Sequence, residues 1–245
     1  MLGGNTVSRS QSIALKPIRR SDAQRVGLFL NQHLNAHISA EAWADAITPK
    51  WQVDAPNHGY MLTAAGVIVG VQLAFYSERQ TEEGPVRICN LAAFCVREDH
   101  RMQSVRLLKA LLSQKGYSFT DLSPSGNVRP LNIRLGFQQL DTATALVPNV
   151  AWPLWPTRTR LIADLATIAT TLTGADLQIY HDHLGAQAAH HLVLVRGQRH
   201  CHVIFRRDRR KNLPLFATIL HVSDPELFHE AGGLVFRHLL LRQGV

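Results

Sequence analysis

The sequence predicts an α/β protein with a mixed (α+β) sheet, on three observations. Short runs with two-residue alternation interleave with runs of helical spacing from residue 12 to residue 135. A glycine turn at Ala65-Gly66 lies between aromatic and β-branched flanks, which marks a hairpin. An apolar, strand-like run from Val86 to Val96 then passes through a short basic turn into an amphipathic segment. Such a mixture places helices on both faces of a sheet.

Ile13, Leu15 and Ile18 define a first strand over 12–18, and Ser21 or Asp22 caps a helix carrying Val26, Leu28, Leu30 and Leu34. A second helix spans Ala40 to Ile47. Residues 59–75 read as two strands joined at Ala65-Gly66, and Glu78 to Pro85 as a polar connector. The strand at Val86–Val96 leads into a helix over 99–114, where Leu107, Leu108, Leu111 and Leu112 share one face and Lys115-Gly116 stops the run. Tyr117 to Leu122 is a further strand, Val128 to Leu135 a short helix ended by Gly136, and Phe137 to Val147 a strand or hairpin.

After Pro148 the composition changes. Trp152-Pro-Leu-Trp155-Pro is stiff, because each proline fixes its own φ and extends the residue before it. This places a boundary between modules 1–150 and 151–245. The second module reads as a helix over 158–172, another over 182–189, a hairpin of Leu192–Val195 and His202–Phe205, a strand at Leu215–Val222 and a last helix over 226–242. Tyr60 to Gly66 is similar to His191 to Gly197, and Phe94 to Asp99 is similar to Leu220 to Asp224, at a similar offset. The second module is thus a partial repeat of the first, with nothing matching Tyr117 to Val147.

With 245 residues, 46% of them hydrophobic, the chain can bury a sizeable core. It has no apolar run of membrane-spanning length and no secretory leader, so the expected setting is the cytoplasm, with no membrane partner. Three cysteines without CxxC spacing argue against a disulfide framework and a cysteine-built zinc site. The net charge of +8 favours an anionic partner.

The basic turn has the form R-x-x-S-x-R, from Arg101 through Met102, Gln103, Ser104 and Val105 to Arg106. A strand feeding a helix through such a turn presents backbone N–H groups and helix-end positive charge to an anion. Together with Ile18-Arg19-Arg20-Ser21-Asp22, the hairpin from Gly66 to Val71 and the Leu135-Gly136-Phe137 corner, it resembles the GNAT superfamily of N-acyltransferases over roughly residues 13 to 145. The resemblance implies a GNAT-like fold, possibly tandem with an incomplete second copy. It also implies acetyl-CoA or another acyl-CoA as cofactor, and acyl transfer to a small-molecule acceptor or a protein amine. A homodimer stays open.

By the same resemblance, Arg101, Met102, Gln103, Ser104, Val105 and Arg106 bind the pyrophosphate, with Ser104 and Arg106 standing at the two positions the family fills with small residues. Phe94, Cys95 and Val96 hold the pantetheine arm. Asn132 stands where many members carry a tyrosine, and would polarise the departing thiolate without supplying a proton. Ser125 matches an asparagine earlier on that helix, with Asn127 nearby. Asp121 and Ser123 face the acceptor or cofactor. Asn90 stands where a general base is expected, and Glu82, Glu83, Glu98 and Asp99 are the flanking carboxylates. The substitutions also fit a binding or scaffolding protein that kept the fold and lost the chemistry.

Cys95 lacks a histidine at a recognisable spacing and reads as a buried thiol. Nine of the 13 histidines lie after residue 180, in His181-Asp-His183, His190-His191 and His200 with His202. An H-x-H on a strand places both imidazoles on one face, but without a third convergent ligand these read as surface or structural histidines, and no metal is assigned. The run Arg206-Arg-Asp-Arg-Arg-Lys211 lacks interleaved aromatics and reads as a solvated hairpin tip, so nucleic acid is not the expected partner.

Overall fold

The computed structural model describes residues 12–49, 51, 53–81, 83–126, 128–140, 144–149, 158–210 and 213–245. Glu82, Asn127, Trp152, Trp155 and Lys211 lie outside the described residues. Two compact units, Met1–Asp141 and Thr142–Val245, each have their own sheet. Among the described residues, no helix is long and apolar enough to cross a membrane.

Unit 1 runs β1 (Ile13–Pro17), α1 (Ala23–His33), α2 (Ala40–Ile47), β2 (Gly59–Ala64), β3 (Val67–Thr81), β4 (Gly84–Val96), α3 (Ser104–Leu112), β5 (Ser118–Thr120) and α4 (Arg129–Arg134). The strands lie in that order across the sheet, the first four antiparallel and β5 parallel to β4. Ala65 and Gly66, at φ 48° and 82°, supply the left-handed pair that a two-residue hairpin needs. One face of the sheet packs on α1 and α2 through Ile18, Val26, Phe29, Leu30, Ala44, Ile47, Met61 and Val71. The other packs on α3 through Ala74, Cys89, Leu91, Leu108 and Leu111.

The expected connector at Glu78–Pro85 is instead a continuation of the β3–β4 ribbon. Glu78 lies opposite Arg87, and Thr81 Oγ1 donates to the Gly84 carbonyl at 2.7 Å to close the tip. A ribbon exposed on both faces needs no apolar alternation, so a polar sequence there does not exclude strands. The helix expected over 99–114 begins as 3-10 turns over Glu98–Gln103 before α3 proper. The strand expected over Phe137–Val147 is absent from its described residues, 137–140 and 144–147.

Unit 2 runs β6 (Arg160–Ile162), α5 (Leu165–Thr171), α6 (Gly174–His183), β7 (His190–Arg196), β8 (Arg199–Arg210), β9 (Leu213–Val222) and α7 (Pro225–His238), continued by a wider turn over Leu239–Gln243. Its strands are all antiparallel and in chain order. The order β-α-α-β-β-β-α is that of β1 through α3. The helix expected over 158–172 splits here. Asp164 accepts from the Thr167 amide at 2.8 Å and starts α5, while the three residues of β6 pair with β7. Leu161, Leu165 and Ile168 fall at helical spacing across that cap, which hid the strand. The helix expected over 182–189 lies earlier, at α6.

Candidate active site

The site begins with an irregularity in β4. Val71 lies opposite Cys95 and Leu73 opposite Ala92, so β4 carries one residue more than β3 between them, and Ala93 adopts φ 47°. This is a β-bulge, and it reverses the side-chain parity of the strand. Cys89 and Leu91 face α3. Beyond the bulge Phe94 packs with Leu62 and Leu107 on that same face, and Cys95 joins the core under α1 and α2. Gln72, 4% exposed, braces the turn: its Nε2 donates to the Ala92 carbonyl at 2.9 Å and lies 3.4 Å from that of Leu73. Sequence reasoning missed Ala93 and Gln72, although a lone glutamine inside the apolar run Ile68–Ala74 was a legible signal.

The opposite edge of β4 explains why the bulge matters. β5 pairs only with Ile88, Cys89 and Asn90. Past that point β4 continues to Val96 with no second strand partner among the described residues, so its outward N–H and C=O groups line a wedge. Thr120 Oγ1 donates to Asn90 Oδ1 at 3.0 Å at the fork. Immediately beyond it, Asn132 Nδ2 donates to Asp121 Oδ2 at 2.8 Å and the Ser123 amide lies 3.4 Å from Asp121 Oδ1.

Asn132, Asp121 and Ser123 therefore meet at the end of β5. Asn132 is buried and its Oδ1 has no hydrogen-bond partner. The Leu-Gly-Phe corner fixes its backbone, since the Phe137 amide reaches the Asn132 carbonyl at 3.0 Å across Gly136 at φ 91°.

The basic loop is placed differently from a ready phosphate cradle. Glu98–Gln103 is wound into 3-10 turns, with the His100 amide on the Arg97 carbonyl at 3.0 Å and the Ser104 amide on the Arg101 carbonyl. Arg97 forks onto Asp99, whose carboxyl sits below its usual range because His100 and Arg97 hydrogen-bond it. Arg101 is largely exposed, 3.7 Å from Glu98. Arg106 is exposed and turned toward β1: both its terminal nitrogens lie 3.3 Å from the Ile13 carbonyl, and one donates to Gln103 at 3.0 Å. Met102 is 91% exposed.

Burial pushes the Cys95 thiol up, which removes it as a nucleophile at neutral pH. Glu98 and Asp99 are occupied by the loop's own cations, and Asp121 is the carboxylate held at the fork. A separate basic concavity lined by Lys16, Arg19, Arg25 and Asp22 lies along β1 and α1. The basic run in unit 2 sits on β8, where Arg206 pairs with Asp208 at 2.9 Å.

No family model matches the sequence, and no curated protein does. Solved structures match in fold. A GCN5-related N-acetyltransferase from Anabaena variabilis superposes at TM-score 0.61 and 12% identity, over 93% of this chain and 63% of that one. The fold is the GNAT fold. A protein of Pyrococcus horikoshii assigned as an acetyltransferase matches at TM-score 0.55 and 11% identity, over 98% of this chain and 80% of its own. An acetyltransferase from Trypanosoma brucei matches at 18% identity and TM-score 0.42, over 56% of this chain and its whole length. At these identities the GNAT likeness establishes architecture, and chemistry has to be argued from the wedge.

Proposed function

We propose that unit 1 binds an acyl-CoA and transfers its acyl group to an amine on a small molecule or protein. The observation that carries this is the wedge opened at Asn90 and Thr120, with the unpaired edge of β4 running on through the bulge. A pantetheine arm carries amides that pair with such an edge as an added strand would. Phe94, Cys95 and Val96 supply that edge, and Arg101 to Arg106 stand where it meets the N-terminus of α3, the place for a pyrophosphate. The amine attacks the thioester carbonyl, a C–N bond forms, and the C–S bond breaks to release a thiolate. Asn132 has an N–H beyond the one given to Asp121 to offer that thiolate, and Asp121 is placed to take the amine proton. Holding the reactants in line supplies much of the rate.

A second reading is favoured by one specific observation. The loop amides are already bonded in 3-10 turns and Arg106 is tied to Ile13, which fits a GNAT-fold binding protein whose phosphate cradle has closed. Calorimetric titration with CoA, acetyl-CoA and dephospho-CoA decides between them. The enzyme reading expects saturable binding in the micromolar range, lost in Arg101→Ala and unaffected by neutralising Arg206 and Arg207. Absence of binding in the wild type, with binding gained in Arg106→Ala, would establish the closed cradle instead.

A further inference from the structure

We propose that unit 2 holds a divalent transition-metal site built from Asp176, His202 and His221. One donor atom from each lies within 4.8 Å of the other two. The residues come from three elements: α6 supplies Asp176 in its first turn, β8 supplies His202 and β9 supplies His221.

The sheet register brings the histidines together. Ile204 lies opposite His221, and His202 exchanges hydrogen bonds with Ser223, so the two imidazoles are diagonal neighbours on one face. A bulge in β9 between His221 and Ile219 keeps His221 on that face. It is the face covered by α5 and α6, where Val193 packs on Tyr180, Ile168 and Leu172. Beside that apolar packing, the same face carries His191, His200, His202 and His221, polar donors where leucine and valine would otherwise pack.

His202 is fully buried, and its Nδ1 has no hydrogen-bond partner. Its Nε2 lies 3.1 Å from Nδ1 of His191, which is also buried. A metal on Nδ1 of His202 accounts for both facts. The ring then carries its proton on Nε2 and donates it to His191, the outer-shell contact that orients a ligating imidazole. Asp176 has a similar support, with Oδ2 3.2 Å from His200 Nε2. The H-x-H pair of β8 thus divides its labour: His202 ligates and His200 positions the carboxylate.

Two imidazoles and one carboxylate are the donor set of Zn2+ and neighbouring first-row cations, leaving a fourth position for water. Donors about 2.1 Å from a tetrahedral ion stand about 3.4 Å apart. No pair here has to close by more than about 1.4 Å, within reach of side-chain rotation.

The test uses the full chain, stripped with a chelator and then titrated with Co2+, whose visible absorption reports coordination geometry, and with Zn2+ as competitor. One equivalent of Co2+ is expected to bind, displaced by Zn2+, with intensified visible bands and a raised melting temperature. Asp176→Asn and His221→Gln, less buried than His202 and so less disruptive, are expected to abolish the bands. His200→Gln is expected to weaken binding by about tenfold while keeping them. Absence of saturable uptake at one equivalent would overturn the proposal. So would uptake unchanged in both Asp176→Asn and His221→Gln, since other histidines would then hold the ion.

Discussion

Replacing Gln72 by methionine tests the physical basis of the wedge. Methionine keeps the length and apolar volume of the side chain, so repacking costs under about 1.5 kcal/mol. What disappears is the N–H that meets the Ala92 carbonyl at 2.9 Å. A partly buried carbonyl left without its donor costs about 1 kcal/mol, the low end of the range for a fully buried one. For a protein of this size that lowers the melting temperature by about 2 to 4 °C.

The bulge cannot simply anneal, because removing one residue of offset would turn Phe94 out of the α3 face and Cys95 out of the opposite core. It loosens instead, and the β4 edge loses its set geometry. CoA affinity should therefore fall by about tenfold, on the scale of an outer-shell positioning contact. Urea unfolding and CoA calorimetry on the same preparation measure both effects. Gln72→Glu supplies the control: it should recover as pH falls, because a protonated carboxyl donates where a carboxylate cannot. Stability of Gln72→Met within about 0.5 kcal/mol of wild type, with unchanged CoA affinity, would refute the bracing role.

Gly59 has φ 114°, and a Cβ there would meet the Gln72 carbonyl at 2.1 Å, so Gly59→Ala should cost at least about 3 kcal/mol in urea unfolding. Burial pushes the Cys89 thiol up to about 11 and raises Cys95 and Cys201 as well. The native protein should show no thiols to a thiol reagent at pH 8 and three after denaturation. Because the folded values are raised, the associated stability is present below the unfolded thiol pKa and is lost as pH rises through the folded ones; an alkaline urea series from pH 8 to 11 reads this. Asp224 caps α7 through the Leu227 amide at 2.9 Å and forks onto Arg199, so Asp224→Ala should lose about 1 to 2 kcal/mol.

The α/β class and most strands of unit 1 were legible because burial on one or both faces writes a period into the sequence. The hairpin at Ala65-Gly66 was legible because its left-handed pair restricts residue choice. The bulge at Ala93 was not, since alanine in the left-handed region carries no compositional mark and the parity change only shows once both cores are known. The meeting of Asp121 and Asn132 was implied by likeness alone, because ten residues separate them in the chain. In unit 2, β6 was hidden by leucines and isoleucines that fit a helix as well as a strand. The histidines could not be read as a set because the third ligand, Asp176, comes from a helix that sequence spacing placed several residues too late.

The two units show how one strand order can be put to different ends. Each ends its antiparallel sheet with a bulged strand feeding a helix: the bulge near Ala93 before α3, and that at Leu220 before α7. In unit 1 seven residues of loop, Arg97 to Gln103, separate strand and helix, and β5 pairs alongside to form the fork. In unit 2 only Ser223 and Asp224 intervene, and the Asp224 carboxylate fills the helix N-terminus itself. An anion arriving there would meet a negative charge already seated. The same comparison runs the other way on the opposite face, where unit 1 packs Ile18, Val26 and Met61 and unit 2 buries His191 and His202. The two proposals thus divide between the units, with the phosphate-bearing cofactor assigned to unit 1 and the cation to unit 2. Losing CoA binding in Arg101→Ala while Co2+ uptake persists, and the reverse in Asp176→Asn, is the pattern this division requires.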